Sequence, residues 1–201
     1  MNFLEKLFGK INKRSNSGAQ QIPNFNFTDK LMDEDEFWDI IKTTKEHSKG
    51  DYELQQEILE SELSKLTPNE VLLFSNRFRS LRGLANTWEL WGAIYIIQGG
   101  CGDDSFNDFR EWVIGQGKDF YYKTIEDPES LANLDPEFIE ETADFEGLGY
   151  IPSKVFKDLT GIEIQHTFKE NQITTGKEWE EEGDDLKNMF PKIYAKYPTN
   201  I

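Results

Sequence analysis

Across residues 33–160 the apolar positions recur every three or four residues, the spacing that turns one face of an α-helix toward a core. Phe37, Trp38, Ile40 and Ile41 follow a run of carboxylates, Asp33 to Glu36, that suits the positive end of a helix dipole. This first helix is expected to close near Ser48-Lys49-Gly50. Asp51 then caps a second, which carries Leu54, Ile58, Leu59, Leu63 and Leu66. Thr67-Pro68-Asn69-Glu70 is a strong start signal: Thr at the N-cap, Pro at the first helical position, and Glu placed to complete a capping box. The third helix turns Val71, Leu72, Phe74, Phe78 and Leu81 inward and reaches Gly83.

The next stretch, Leu84 to Gln98, is apolar nearly all round, as expected of a central aromatic helix buried on several sides, and Gly99-Gly100 ends it. Asp103 or Asp104 is expected to cap the following helix, which lines up Phe106, Phe109, Trp112 and Val113. Asp127-Pro128-Glu129 and Asp135-Pro136-Glu137 both read as caps followed by a helix-initiating proline, and Pro152 to Leu159, closed by Gly161, gives one more short helix. The pattern predicts an all-α fold, with about six to eight helices over residues 32–161 and a core of Trp38, Phe74, Phe78, Trp88, Trp91, Phe106 and Phe109. Residues 162–201 read as a partly ordered acidic extension. Ile162, Ile164 and His166 alternate as in a brief extended segment, and Leu186, Met189, Phe190, Ile193 and Tyr194 follow, with a bend at Pro191.

Charge divides the chain differently. The 201 residues carry a formal net charge of −16, which argues against a broad nucleic-acid-binding surface. Residues 1–22 oppose this trend: Lys6, Lys10, Lys13 and Arg14 against Glu5 leave +3 there and −19 on the remainder. Phe3, Leu4, Leu7, Phe8 and Ile11 recur at helical spacing, so residues 1–14 form either a basic amphipathic helix for weak contact with an anionic membrane surface or partner groove, or a frayed leader. Ser15 to Gln21 read as a flexible linker.

Cys101 is the only cysteine, which excludes an intrachain disulfide and a cysteine-based zinc site. No apolar run approaches the roughly 20 residues that span a bilayer, and no signal-peptide pattern is present, so a cytoplasmic location is expected, with no cofactor or metal.

The candidate chemistry centres on Asp103, Asp104 and Arg110, with Glu89 and Tyr121 as possible neighbours. Adjacent carboxylates at a helix start suit a hard cation, and an arginine one to two turns on suits an anionic group. The same residues also fit a purely structural assignment, one aspartate as cap, the other on the helix dipole, and Arg110 paired with a carboxylate of a neighbouring helix. Arg79 and Arg82 share a face of the third helix, whereas Arg77 lies away from it; pairing with the chain's own carboxylates competes there with capture of a small anion. His47 and His166 lack partners at catalytic or metal-binding spacing, and Cys101 reads as a small buried residue.

Taken together, Phe37-Trp38, Trp91, Gly99-Gly100, Asp103-Asp104, Phe106, Phe109-Arg110, Trp112, Gly117, Tyr121, Asp127-Pro128 and Leu131 resemble the bacterial domain-of-unknown-function family 4240 over about residues 32–160. The resemblance implies a compact helical domain and carries no activity with it. Two function classes follow. The leading one is a protein-interaction or regulatory module, such as immunity-type binding of a basic partner, with Trp179, Glu180, Glu181 and Glu182 as contact residues. The alternative is an enzyme or small-ligand binder built around Asp103, Asp104, Arg110, Glu89 and Tyr121.

Overall fold

Side-chain caps set where several of the helices begin. The computed structural model describes residues 25–135, 147–181 and 183–198. The basic leader at 1–22, with its membrane-contact segment, the expected Pro136 helix start and Glu182 lie outside the described residues. Helix α1, Glu34–Ser48, starts where Asp33 accepts hydrogen bonds from the backbone of Asp35 and Glu36, and stops where Lys49 turns left-handed. Helix α2, Tyr52–Leu63, is capped by Asp51, which accepts from Leu54 N at 2.9 Å. Helix α3, Pro68–Leu84, opens on the expected capping box, with Glu70 accepting from Thr67 N at 2.8 Å. There follow α4, Trp88–Gln98; α5, Asp103–Gly115; α6, Lys118–Glu126; and α7, Ile151–Thr160. Two short helices follow, α8, Asp185–Met189, and α9, Pro191–Lys196. The fold is all-α, and seven α-helices lie within 32–161 among the described residues.

Four local expectations are corrected. The central helix begins at Trp88 rather than Leu84, because Thr87 accepts from Leu90 N at 3.1 Å and caps it there. Neither aspartate caps α5. Gly102 occupies the extended N-cap position without a side-chain bond, which puts Asp103 and Asp104 in the first turn, where their charges meet the helix dipole. Asp127-Pro128 starts a 3-10 turn, Pro128–Asn133, and not an α-helix. Ile162 to His166 forms no strand; among the described residues the one bridge is an isolated parallel pair, Thr87 with Thr175.

The core is aromatic. Phe37, Phe74, Phe78, Phe106, Phe109, Trp112, Tyr121 and Phe156 are fully buried, and Trp38 nearly so. Trp88 and Trp91 are only half-buried, against expectation, since α4 turns Leu90, Ala93, Ile94, Ile96 and Ile97 inward and presents its tryptophans at the edge. There Trp91 stacks on Trp88 and on Phe106, at centroid distances of 5.4 and 4.9 Å, and donates its Nε1 proton to Cys101 O.

That edge is covered by the extension, which is more ordered than its composition suggests. Leu186, Phe190 and Ile193 enter the core. Trp88 N donates to Thr175 O at 2.8 Å, Thr175 N to Asn86 O at 3.0 Å, and Trp179 Nε1 to Trp88 O at 2.9 Å. Gly92 is the seat: a Cβ there would lie 2.9–3.0 Å from Leu186, Trp179 and Phe190. Gly92→Ala should therefore lower the urea midpoint of unfolding, because overpacking of about 1–3 kcal/mol outweighs the roughly 1 kcal/mol that alanine gains in helix propensity. A variant more stable than the parent would show that the extension does not press on α4.

Candidate functional site

Helix α3 turns Arg79 and Arg82 to one side, and that side meets α5 and the extension. Arg82 grips Glu170 with a two-pronged fork, Nε to Oε1 and Nη2 to Oε2, each at 2.7 Å, and its Nη1 donates to Glu111. Arg79 stands 3.6 Å from the same Glu170 carboxylate. Both carboxylates are buried, and Glu111 also accepts from Gly149 N at 2.8 Å. A Cβ on residue 149 would sit 2.5 Å from Glu111, so a glycine is needed there. Burial works against the charge of Arg82, but Glu170 and Glu111 outweigh it and hold the guanidinium above its ordinary value. Of the two uses considered for this arginine pair, pairing with the chain's own carboxylates is the one observed.

Arg110, the residue before Glu111 on α5, behaves differently. It donates to Arg82 O at 3.1 Å and to Asn107 Oδ1 at 3.4 Å, and lies over the Phe106 ring with its central carbon 4.8 Å from the centroid. The ion pair expected for it is not made: among the described residues no carboxylate lies within 4 Å of it. Burial, and then repulsion from Arg82, hold Arg110 below the usual guanidinium value. Among the described residues, three guanidiniums thus face two carboxylates in this cluster, and Arg110 is the one without a carboxylate in contact.

Arg110 lines a cleft of about 320 Å³. From α5 come Asp103, Asp104 and Asn107; from α4 and its lead-in come Trp91 and Asn86; from the extension come Gln172 and Thr174. Asp103, Asn107 and Arg110 are spaced i, i+4, i+7, which puts them on one stripe of the helix. Asn86 is only 6% exposed. Its Oδ1 accepts from Thr174 Oγ1 at 3.2 Å, while its Nδ2 makes no hydrogen bond among the described residues.

The other sequence candidates fall elsewhere. Glu89 is on α4 facing the extension, where it accepts from Lys177 N at 2.9 Å. Tyr121 is in the core, its hydroxyl donating to Leu81 O at 2.6 Å and its phenol pushed up by burial. Trp179 is half-buried and packs its ring against Trp88 and Tyr95, so this aromatic faces its own domain. Glu180 and Glu181 are exposed, and Glu181 accepts from the Tyr95 hydroxyl. His47 lies on the surface, its Nδ1 2.7 Å from Thr43 O. No group of three or more His, Cys, Asp or Glu among the described residues is arranged to hold a metal ion. No helix among them is long and apolar enough to cross a membrane.

Sequence reasoning missed the buried acids Glu111 and Glu170 and the cleft residues Asn86, Gln172 and Thr174. The one available signal was that Arg79 and Arg82 on a common face require partners. It also missed a larger groove of about 980 Å³ between α1, α2 and the start of α6, with Tyr52 and Phe120 in its lining. Lys45 at its wall is committed to Gln116 O at 2.6 Å.

Comparison with known proteins gives one match: the family model described as a protein of unknown function, DUF4240, covers residues 32–158. No curated protein and no solved structure matches the chain. The family match ends before Glu170, Gln172 and Thr174, so one wall of the cleft is supplied by residues beyond it.

Two predictions follow from these contacts. Glu170→Ala leaves Arg82 and Arg79 facing Glu111 alone, and should destabilise the fold by about 3 kcal/mol, the scale for removing one partner of a buried ion pair; a loss under about 1 kcal/mol in urea titration would mean that the pair is solvated. Burial pushes the Cys101 thiol up to about 12, so it should stay protonated and unreactive toward a disulfide reagent at pH 8, and become reactive in urea. Equal rates in both conditions would contradict its burial.

Proposed function

The chain belongs to the DUF4240 family, and we propose that it works by binding a small polar ligand in the cleft between α5 and the extension. The observation that carries this reading is the convergence of Asp103, Asp104 and Arg110 on one cleft, together with an Arg110 that has no carboxylate partner among the described residues. Glu170 and Glu111 act on this half-buried guanidinium only from a distance, and an anionic group of a ligand would supply a carboxylate-type contact that it lacks among the described residues. The amides of Asn86 and Asn107 add oriented hydrogen-bonding groups beside it. Polar groups of this kind, few and convergent, are what fixes a small molecule in a cleft.

A second reading, docking of a basic protein surface, is favoured by the exposed Glu178, Glu180, Glu181 and Asp184. These carboxylates would speed encounter with a cationic partner. Its expected anchor, Trp179, is spent on Trp88 and Tyr95, which leaves electrostatic steering as its main support.

The test is nitrogen-15 NMR of the full chain during titration with acetate, succinate and inorganic phosphate, followed through the side-chain amides of Asn86 and Asn107 and the Trp91 indole. At least one anion should shift all three signals in the parent protein and none in Arg110→Gln. No shift with any of the three anions, or an unchanged shift in Arg110→Gln, would overturn the reading.

A further inference from the structure

The charges of the cleft are segregated along α5. Arg110 and Asp103 are seven residues apart, which at about 1.5 Å per residue separates their Cα atoms by about 10 Å along the helix axis. Long helical side chains lean toward the helix N-terminus, and Arg110 does so: its guanidinium lies over Phe106 and reaches Asn107. The remaining gap between the positive and negative ends of the cleft is about one helical turn, roughly 5 Å. The N-terminus of a helix ordinarily favours an anion, but Asp103 and Asp104 in its first turn reverse that preference at the mouth of this cleft. A ligand lying along α5 therefore meets a cation-seeking end and an anion-seeking end within the length of a small molecule.

A further polar group opens into the same cleft. Asn86 is more than nine-tenths buried, lines the same cleft, and has one end of its side-chain amide without a partner among the described residues. The nitrogen of this amide is not sealed from solvent, so a ligand atom in the cleft can accept its hydrogen bond in place of water. The stacked Trp88, Trp91 and Phe106 leave Trp91 as a wall beside the cleft, already engaged through its ring faces, and not as a platform for a second aromatic ring. A volume of about 320 Å³ is at the small end for ligand pockets, which run from about 300 to 1,000 Å³.

We infer that the cleft takes a free α-amino acid as its zwitterion, with the carboxylate on Arg110, the ammonium on Asp103 and Asp104, and the Asn86 amide on the carboxylate or on a polar side chain. This inference rests on the ligand-binding reading above and adds the need for a cationic end. A simple anion satisfies Arg110 and leaves the aspartates unused; a simple amine does the reverse.

The experiment is isothermal titration calorimetry of the full chain, backed by the same NMR signals, with three sets of probes. These are the common amino acids one at a time, the N-acetyl derivative of each that binds, and the corresponding amine lacking the carboxylate. At least one amino acid should bind at least tenfold more tightly than both of its truncated forms. Asp103→Asn combined with Asp104→Asn should remove the advantage over the N-acetyl form, and Arg110→Gln the advantage over the amine, with thermal unfolding confirming that both variants fold. Equal binding of an amino acid and its N-acetyl derivative would overturn the zwitterion inference while leaving a ligand cleft in place. Absence of binding by every probe, with acetate, succinate and phosphate also silent, would overturn both.

Discussion

The forked pair between Arg82 and Glu170 is the contact on which the rest of this architecture turns. It joins α3, inside the family-matched region, to a residue twelve positions beyond its end. A buried guanidinium and carboxylate are each costly to desolvate, and only near-ideal geometry with further hydrogen bonds compensates. Glu111 and the backbone of Gly149 supply the rest on one side, and Arg79 stands by Glu170 on the other. The extension is thereby held from Glu170 onward. Thr175 can then meet Asn86 and Trp88, and Trp179, Leu186 and Phe190 can settle on Gly92.

Fixing the extension also makes the cleft. Gln172 and Thr174 form its outer wall only because Glu170 before them and Thr175 after them are anchored. The same cluster sets the electrostatics. With Glu111 and Glu170 committed to Arg82, no carboxylate among the described residues is left in direct contact with Arg110, which faces the cleft beside Asp103 and Asp104. Structure and candidate chemistry are thus linked: the residues that bind the extension to the domain leave a guanidinium in the cleft without an ion pair among the described residues.

Much of the helical framework was legible in the sequence, because caps and apolar periodicity are local. Asp51 and the Thr67 to Glu70 box do in space what they promise in sequence, and Asp33, read only as part of an acidic run, caps α1. Asp103, Asp104 and Arg110 were legible as candidates because they fall within about two turns of one helix, but nothing local says that Asn86, Gln172 and Thr174 join them in a cleft. Depth was not legible. Trp88 and Trp91 look like core residues but lie at an edge, and Tyr121 and Glu89 are drawn to other partners, because burial is decided by which elements pack together. The extension was hardest to read. Its acidic composition resembles a solvated tail, whereas one of its glutamates is buried against two arginines and its sparse apolar residues enter the core. Gly102 shows a subtler failure: aspartates that look like caps shift into the first turn when the preceding glycine takes the N-cap conformation.

The central claim is that the helical domain and the extension are one cooperative unit, and amide hydrogen exchange under native conditions tests it most directly. The amides of Trp88 and Thr175 are donated across the junction, to Thr175 O and Asn86 O respectively. If the two parts form one unit, both amides should exchange as slowly as those within α4, and lose protection in the same step as denaturant rises. Free exchange at Thr175 while Ile94 and Ile96 remain protected would show an extension that opens by itself, and would contradict the account.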